Sequence, residues 1–297
     1  MKSMHKTKNS LLEQAFASIP GFRKLYLEWE QQIKLNGYSS STFYNYCRCI
    51  VKLSLHYKAL PQELNQEQIN HYLLYLKENE GKSLSFFKHT VFGLKNMSRL
   101  LAYQSDIKLP KVRRKRKLPV ILSQRECKVL FKTPKTLKYR LLISLTYACG
   151  LRIREVARLR LSDIDFERKQ IFIRESKYWK DRYVTLPDLI SIGIKKYIQA
   201  YKPMEFLFEG KMRSRGMSIK WIQCIMRETV KESGIMKKVS MHNLRHTFAT
   251  HAIENGQNLV MIQKELGHEQ IQSTMLYLHI ARMPSERKFV SPFDMLY

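Results

Sequence analysis

Three fragments of this sequence offer phosphate-seeking side chains or groups that carry protons. In Ser240-Met241-His242-Asn243-Leu244-Arg245-His246-Thr247, Ser240 is suited to cap a helix. His242 and Arg245, three residues apart, then share a face in its first turns. An imidazole and a guanidinium at a helix N-terminus suit a phosphate. Gly150-Leu151-Arg152-Ile153-Arg154-Glu155 ends one helix at a glycine and puts Arg152 where the next begins. Glu155, three residues on, can steady a basic partner. Leu266-Gly267-His268 sets a histidine just past a helix stop, and Tyr277 follows nine residues later. Each fragment alone also has a plainer reading: a solvated His/Arg pair, a surface salt bridge, a tyrosine packed in a core.

The chain around these fragments is strongly basic. Its 297 residues carry 53 Lys+Arg against 25 Asp+Glu, a net charge of +28, which points to a polyanionic partner. The excess is spread along the chain and is densest over residues 107–118, where seven residues are basic and none acidic. A hydrophobic content of 44% excludes wholesale disorder. No apolar run approaches the roughly 20 residues of a membrane span, and the basic N-terminus has no apolar signal-peptide segment. The five cysteines fit neither a disulfide framework nor a paired zinc site, which suits a reducing cytosolic compartment. A nucleic-acid-acting protein leads these classes, with a binder of anionic membrane surfaces second.

The elements that must hold the fragments follow from periodicity and punctuation. Residues 1–20 read as a polar leader with one weak amphipathic stretch. Residues 21–106 predict four helices and no strand. Phe22, Leu25, Trp29 and Ile33 mark the first, Ser39 to Thr42 offer caps for the second, Asn65 with Gln68 opens the third, and 83–103 forms the fourth. Residues 107–118 read as an extended basic linker, since Pro110 and Pro119 disfavour helix and the charges repel. Fully drawn out it spans about 40 Å at ~3.3 Å per residue, enough to cross the grooves of a duplex; a solvated loop or an import signal fits the same residues. Residues 119–297 read as mostly helical, with Gln170 to Arg174 and Arg182 to Leu186 as paired strands and three short final helices divided by Gly256 and Gly267.

Taken together and in this order, the fragments resemble the signature of the tyrosine recombinases, the phage-integrase family: Arg-x-x-Glu, a lysine in a hairpin turn, His-x-x-Arg, Gly-His and then Tyr. The offsets of 23 residues from Arg245 to His268 and nine from His268 to Tyr277 match familiar family spacings. The resemblance covers nearly the whole chain and is strongest to Xer-type and transposon-encoded members. It implies a mainly α fold with a small antiparallel sheet, in which a helical core-binding domain precedes a mixed α+β catalytic domain. It makes Tyr277 the nucleophile, Arg152 and Arg245 the clamp on the scissile phosphate, and His242 and His268 hydrogen-bond or proton-transfer groups. Glu155 supports the site, and Lys177 is the general acid for the leaving 5′ oxygen. Two departures stand out. Ser176-Lys177-Tyr178 replaces the common Gly-Lys-Gly, with Lys180 a rival for Lys177, and Arg154 stands where many members carry Ser.

The resemblance further implies attack on DNA to give a 3′-phosphotyrosyl link and a free 5′-hydroxyl, with no metal, ATP or small-molecule cofactor. Its partners are double-stranded DNA with inverted-repeat core sites and a homo-tetramer on paired sites, with no membrane and a cytoplasmic, nucleoid-associated location. Ser40, Ser41 and Thr42, together with Lys111, Arg113, Arg114, Lys115, Arg116 and Lys117, are candidate DNA contacts. Two other readings remain open here: a non-enzymatic architectural DNA binder, which accounts for the charge, and a type IB topoisomerase, which shares the phosphotyrosine chemistry.

Overall fold

The computed structural model describes residues 3–78, 84–102, 107–112, 118–174, 181–212 and 214–281, with side chains from residue 11 onward. The chain divides into two compact units, Met1–Lys115 and Arg116–Tyr297. Among the described residues no helix is long and apolar enough to cross a membrane.

Among the described residues the first unit carries helices and no strand: α1 (Ser3–Ser18), α2 (Phe22–Leu35), α3 (Ser40–Tyr57), α4 (Gln66–Glu78) and α5 (Leu84–Leu100). The helix starts follow local capping chemistry. Ser39 Oγ accepts from the Thr42 amide at 3.2 Å, and Asn65 and Gln68 exchange backbone-to-side-chain bonds of 2.9 Å in both directions. The apolar stripe of α2 faces inward, so Phe22, Leu25, Trp29 and Ile33 are all buried. Trp29 stands edge-on to Phe43 at 5.2 Å, and its indole N–H donates to buried Asn96 Oδ1 at 2.9 Å.

Two expectations about the ends of this unit need correction. Residues 3–18, read as a polar leader, form α1, whose Ala15, together with the following Ile19, joins the core. Residues 107–112, read as the start of an extended linker, have no regular secondary structure and lie on the unit. Ile107, Leu109 and Val112 pack on its core, and the Lys108 amide donates to Gln66 Oε1 at 2.6 Å. The interleaving of apolar with basic residues explains the difference, since Ile107, Leu109 and Val112 can bury while Lys108 and Lys111 stay in water.

The second unit carries α6 (Gln124–Lys132), α7 (Leu137–Ala148) and α8 (Ile153–Arg158), then β1 (Ile164–Asp165), β2 (Gln170–Ile173) and β3 (Arg182–Thr185). After these come α9 (Asp188–Tyr201), α10 (Ile219–Glu232), α11 (Met241–Glu254), α12 (Leu259–Leu266) and α13 (Gln272–Met275). Three strands pair antiparallel in the order β1-β2-β3, with Ile171 opposite Val184 on the buried face. The two-residue β1 adds a strand that periodicity does not show. Helix α7 is the centre of the unit. Leu141, Leu142, Ile143 and Leu145 are all buried because α6, α8, α9 and α11 pack around it. It ends at Gly150, whose φ of +57° and approach to the Phe248 ring leave no room for a Cβ. That stop aims the chain so that Arg152 opens α8. A smaller apolar cluster of Ala249, Ile253, Ile262 and Leu266 receives Tyr277.

The Trp29–Asn96 bond yields a stability prediction. Asn96→Ala leaves a buried indole N–H unpaired and should lower unfolding free energy by about 1–3 kcal/mol. Urea denaturation of the full chain reads this, and an unmoved midpoint would show that the bond contributes nothing.

Candidate active site

The last carbonyls of a helix have no partner within it and carry partial negative charge. At the end of α12, three successive carbonyls each accept from a different arginine. Arg182 Nε donates to Glu265 at 2.8 Å, Arg245 Nη2 to Leu266, and Arg152 Nη2 to Gly267 at 3.1 Å. Arg245 also reaches the carbonyl of Gly150 at 2.7 Å, tying the end of α7 to the end of α12. Gly267 adopts φ +61°, and a Cβ there would meet the Arg182 side chain at 2.9 Å. The same turn fixes His268, whose amide donates to Gln263 O at 3.1 Å. Glu265 staples the helix to β3, accepting from the Thr185 hydroxyl at 2.7 Å and the Thr185 amide at 3.1 Å.

Glu155 answers the charge that these arginines concentrate. Its carboxylate accepts from the Arg152 amide and Nη1, both at 2.8 Å, and from Arg182 Nη1 and Nη2, both at 2.9 Å. Burial alone would raise its pKa, but the Arg182 bonds and charge, with the Arg152 amide and charge, hold it at about 2. Arg245 is almost wholly buried, and burial and the Arg152 charge bring its pKa down to about 9, so it stays cationic at neutral pH.

Three histidines and Tyr277 complete the site. Tyr277 is 2% exposed, and its hydroxyl lies 2.9 Å from His246 Nδ1. Burial raises the phenol's pKa against the pull of Arg245 and Arg152, so it is protonated at neutral pH. His268 stacks nearly parallel to the Tyr277 ring, at 6.4 Å and 15°, and its Nδ1 shares a 2.9 Å hydrogen bond with Thr274 Oγ1. That bond leaves Nε2 for other contacts. Burial, then the charges of Arg245, Arg152 and Arg182, push its pKa down to about 3. His242 stands at the rim, edge-on to His246 at 4.3 Å. Surrounding protein and the Arg245 and Arg152 charges lower its pKa also.

The structure thus gathers Arg152, Glu155, Arg245, His268 and Tyr277 around the α12 terminus, with His242 at the edge. Lys177, its rival Lys180, and Arg113, Arg114, Lys115, Arg116 and Lys117 lie outside the described residues. In the other unit Ser40, Ser41 and Thr42 form the first turn of α3, and Lys111 is exposed. Arg154 lines a cavity of about 590 Å³ with Arg158, Arg174 and Arg215. Sequence reading missed His246 and Arg182. His246 had a signal, since it sits four residues after His242 and so on the same helical face. Nothing local marks Arg182 as a partner of Glu155.

Residues 121–283 match the phage integrase family, and residues 25–103 match the phage integrase N-terminal SAM-like domain. The chain is 33% identical over 261 residues to tyrosine recombinase XerA of Thermococcus onnurineus, a match covering 85% of this chain and 89% of that protein. It is 39% identical over 180 residues to a tyrosine recombinase of Thermosipho africanus, covering 59% of this chain and 62% of that protein. In fold it is similar to the Tn1549 transposon integrase solved with circular intermediate DNA. That match has a TM-score of 0.69 and 19% identity over 92% of this chain and 97% of the other. This chain belongs to the phage integrase family and is a tyrosine recombinase, an enzyme that breaks and rejoins DNA. The architectural and topoisomerase readings are not favoured.

The Glu155 pKa sets a pH dependence. Because its folded value lies below the ordinary 4.5, its contribution is complete above about pH 4.5 and is lost as pH falls toward 2. Glu155→Gln should destabilise the chain by about 3 kcal/mol at pH 7, with the gap to wild type narrowing through that acid window. Thermal unfolding at several pH values reads it, and a gap independent of pH would contradict the assignment.

Proposed function

We propose that Tyr277 is the nucleophile of a site-specific recombinase acting on core sites in duplex DNA. Its Oη bonds to the scissile phosphorus as the bond to the 5′ oxygen breaks, leaving a 3′-phosphotyrosyl link and a free 5′-hydroxyl. The phosphodiester energy is kept in that link, so rejoining is the same step reversed. Arg152 and Arg245 neutralise charge building on the phosphorane, a contribution worth several kcal/mol in comparable sites. His268 Nε2 and His242 hydrogen-bond its oxygens. Glu155 holds Arg152 in position. Lys177, by its sequence position between β2 and β3, protonates the leaving oxygen.

The observation that carries this reading is the convergence of a buried phenol and two guanidiniums on one helix end. The arginine-lined cavity beside α8 supports a path for the DNA backbone, with Arg154 one of its phosphate contacts. The basic run 113–117, Lys111 and the first turn of α3 add phosphate contacts from the rest of the chain. Exchange between two duplexes needs four cleaved strands, so the working assembly is a tetramer of this chain on paired inverted-repeat sites, in the cytoplasm at the nucleoid.

The test is a nicked suicide duplex carrying a site selected from random-sequence DNA. Wild type should give a covalent adduct that survives denaturing electrophoresis, and Tyr277→Phe should give none while binding the site with near-unchanged affinity. An adduct at wild-type yield from Tyr277→Phe would remove Tyr277 from the reaction. Lys177→Ala should regain cleavage on a 5′-bridging phosphorothiolate, whose sulfur leaves without an acid.

A further inference from the structure

A phenol that is protonated at neutral pH needs a base within reach when it attacks. Two histidines touch Tyr277 and a third, His242, stands against one of them; their geometries differ. His268 spends Nδ1 on Thr274 and presents its ring face to the phenol ring. His242 meets the edge of His246 at the rim. His246 alone of the three has a nitrogen at hydrogen-bond distance from the Tyr277 hydroxyl, at 2.9 Å. It directly follows Arg245 on α11, and neighbouring residues on a helix point about 100° apart. One turn therefore sends a guanidinium to the end of α12 and an imidazole to the nucleophile.

We propose that His246 accepts the phenolic proton of Tyr277 during strand cleavage and returns it when the strand is rejoined. This rests on Tyr277 being the nucleophile. In the forward step the Oη–P bond forms and the P–O5′ bond breaks. The phenolic proton passes to His246 Nδ1, and the 5′ oxygen takes its proton from the acid assigned to Lys177. In the reverse step the 5′-hydroxyl gives its proton to that acid group and attacks phosphorus, while His246 protonates the departing tyrosine. Protons and charge balance in both directions.

The surroundings of His246 supply its protonation state. It faces His242 and Arg245 from its own helix, His268 from the turn after α12, and Tyr277 from the segment after α13. Burial, then His242 and the Arg245 charge, hold its pKa at about 4, so the ring is neutral and able to accept. The negative charge of a bound phosphate offsets Arg245 and Arg152, which raises the basicity of His246 only when substrate is in place.

The experiment is single-turnover cleavage of the suicide duplex and of its 5′-phosphorothiolate analogue by the full chain. His246→Ala should bind the site normally and cleave about 10²–10⁴-fold more slowly. The loss should be equal on both substrates, because sulfur relieves only the need for an acid. Added imidazole should restore part of the rate. His246→Asn, which keeps a hydrogen-bonding atom near Nδ1 but takes no proton at neutral pH, should be as slow as the alanine variant within about tenfold. Near-wild-type cleavage by either variant, or rescue of His246→Ala by the phosphorothiolate, would overturn the proposal. Faster cleavage by His246→Ala would show instead that the bond withholds the nucleophile. An adduct formed by Tyr277→Phe would defeat the underlying reading; its absence beside full activity in His246→Ala would defeat this proposal alone.

Discussion

The site depends on the unpaired carbonyls at the end of α12. Bringing Arg152, Arg182 and Arg245 together costs free energy through mutual repulsion and loss of water. Three consecutive carbonyls and the Glu155 carboxylate offset that cost with hydrogen bonds that are fixed before any substrate arrives. Glu155 cancels only one of the three positive charges. The site therefore keeps a net positive charge among these partners. Preorganised charge of this kind stabilises a transition state without reorganising at the moment of reaction.

The same turn also positions the surroundings of Tyr277. Gly267 places His268 against the Tyr277 ring, and Leu266 belongs to the apolar cluster that receives that ring. Burial keeps the phenol protonated, while the nearby arginines pull the other way. The ionisation of Tyr277 is therefore tied to Arg245 and Arg152.

Much of this was legible in the sequence because it is local. Caps at Ser39 and Asn65, the stop at Gly150, the turn at Gly267 and the α2 stripe are each written within a few residues, and the structure has them there. That Arg152, Glu155, Arg245, His268 and Tyr277 come together was legible through their order along the chain, which a family pattern preserves. What escaped is non-local or short. Arg182 pairs with Glu155 across 27 residues and with the Glu265 carbonyl across 83, contacts that no periodicity encodes. The strand β1 is two residues long, below any alternation signal. Helix α1 was hidden by a polar start, although Ala15 and Ile19 lie four apart on a face that the core needed.

The most direct test of the helix-end account uses Arg182, which touches Glu155 and the Glu265 carbonyl and is assigned no contact with the phosphate. Arg182→Lys keeps the charge but loses the fork that joins these two groups. If α12 and Glu155 must be locked together to aim Arg152 and Arg245, single-turnover cleavage should fall by about 100-fold at unchanged affinity for the DNA site. Cleavage at the wild-type rate would mean that the arginines are held by something else.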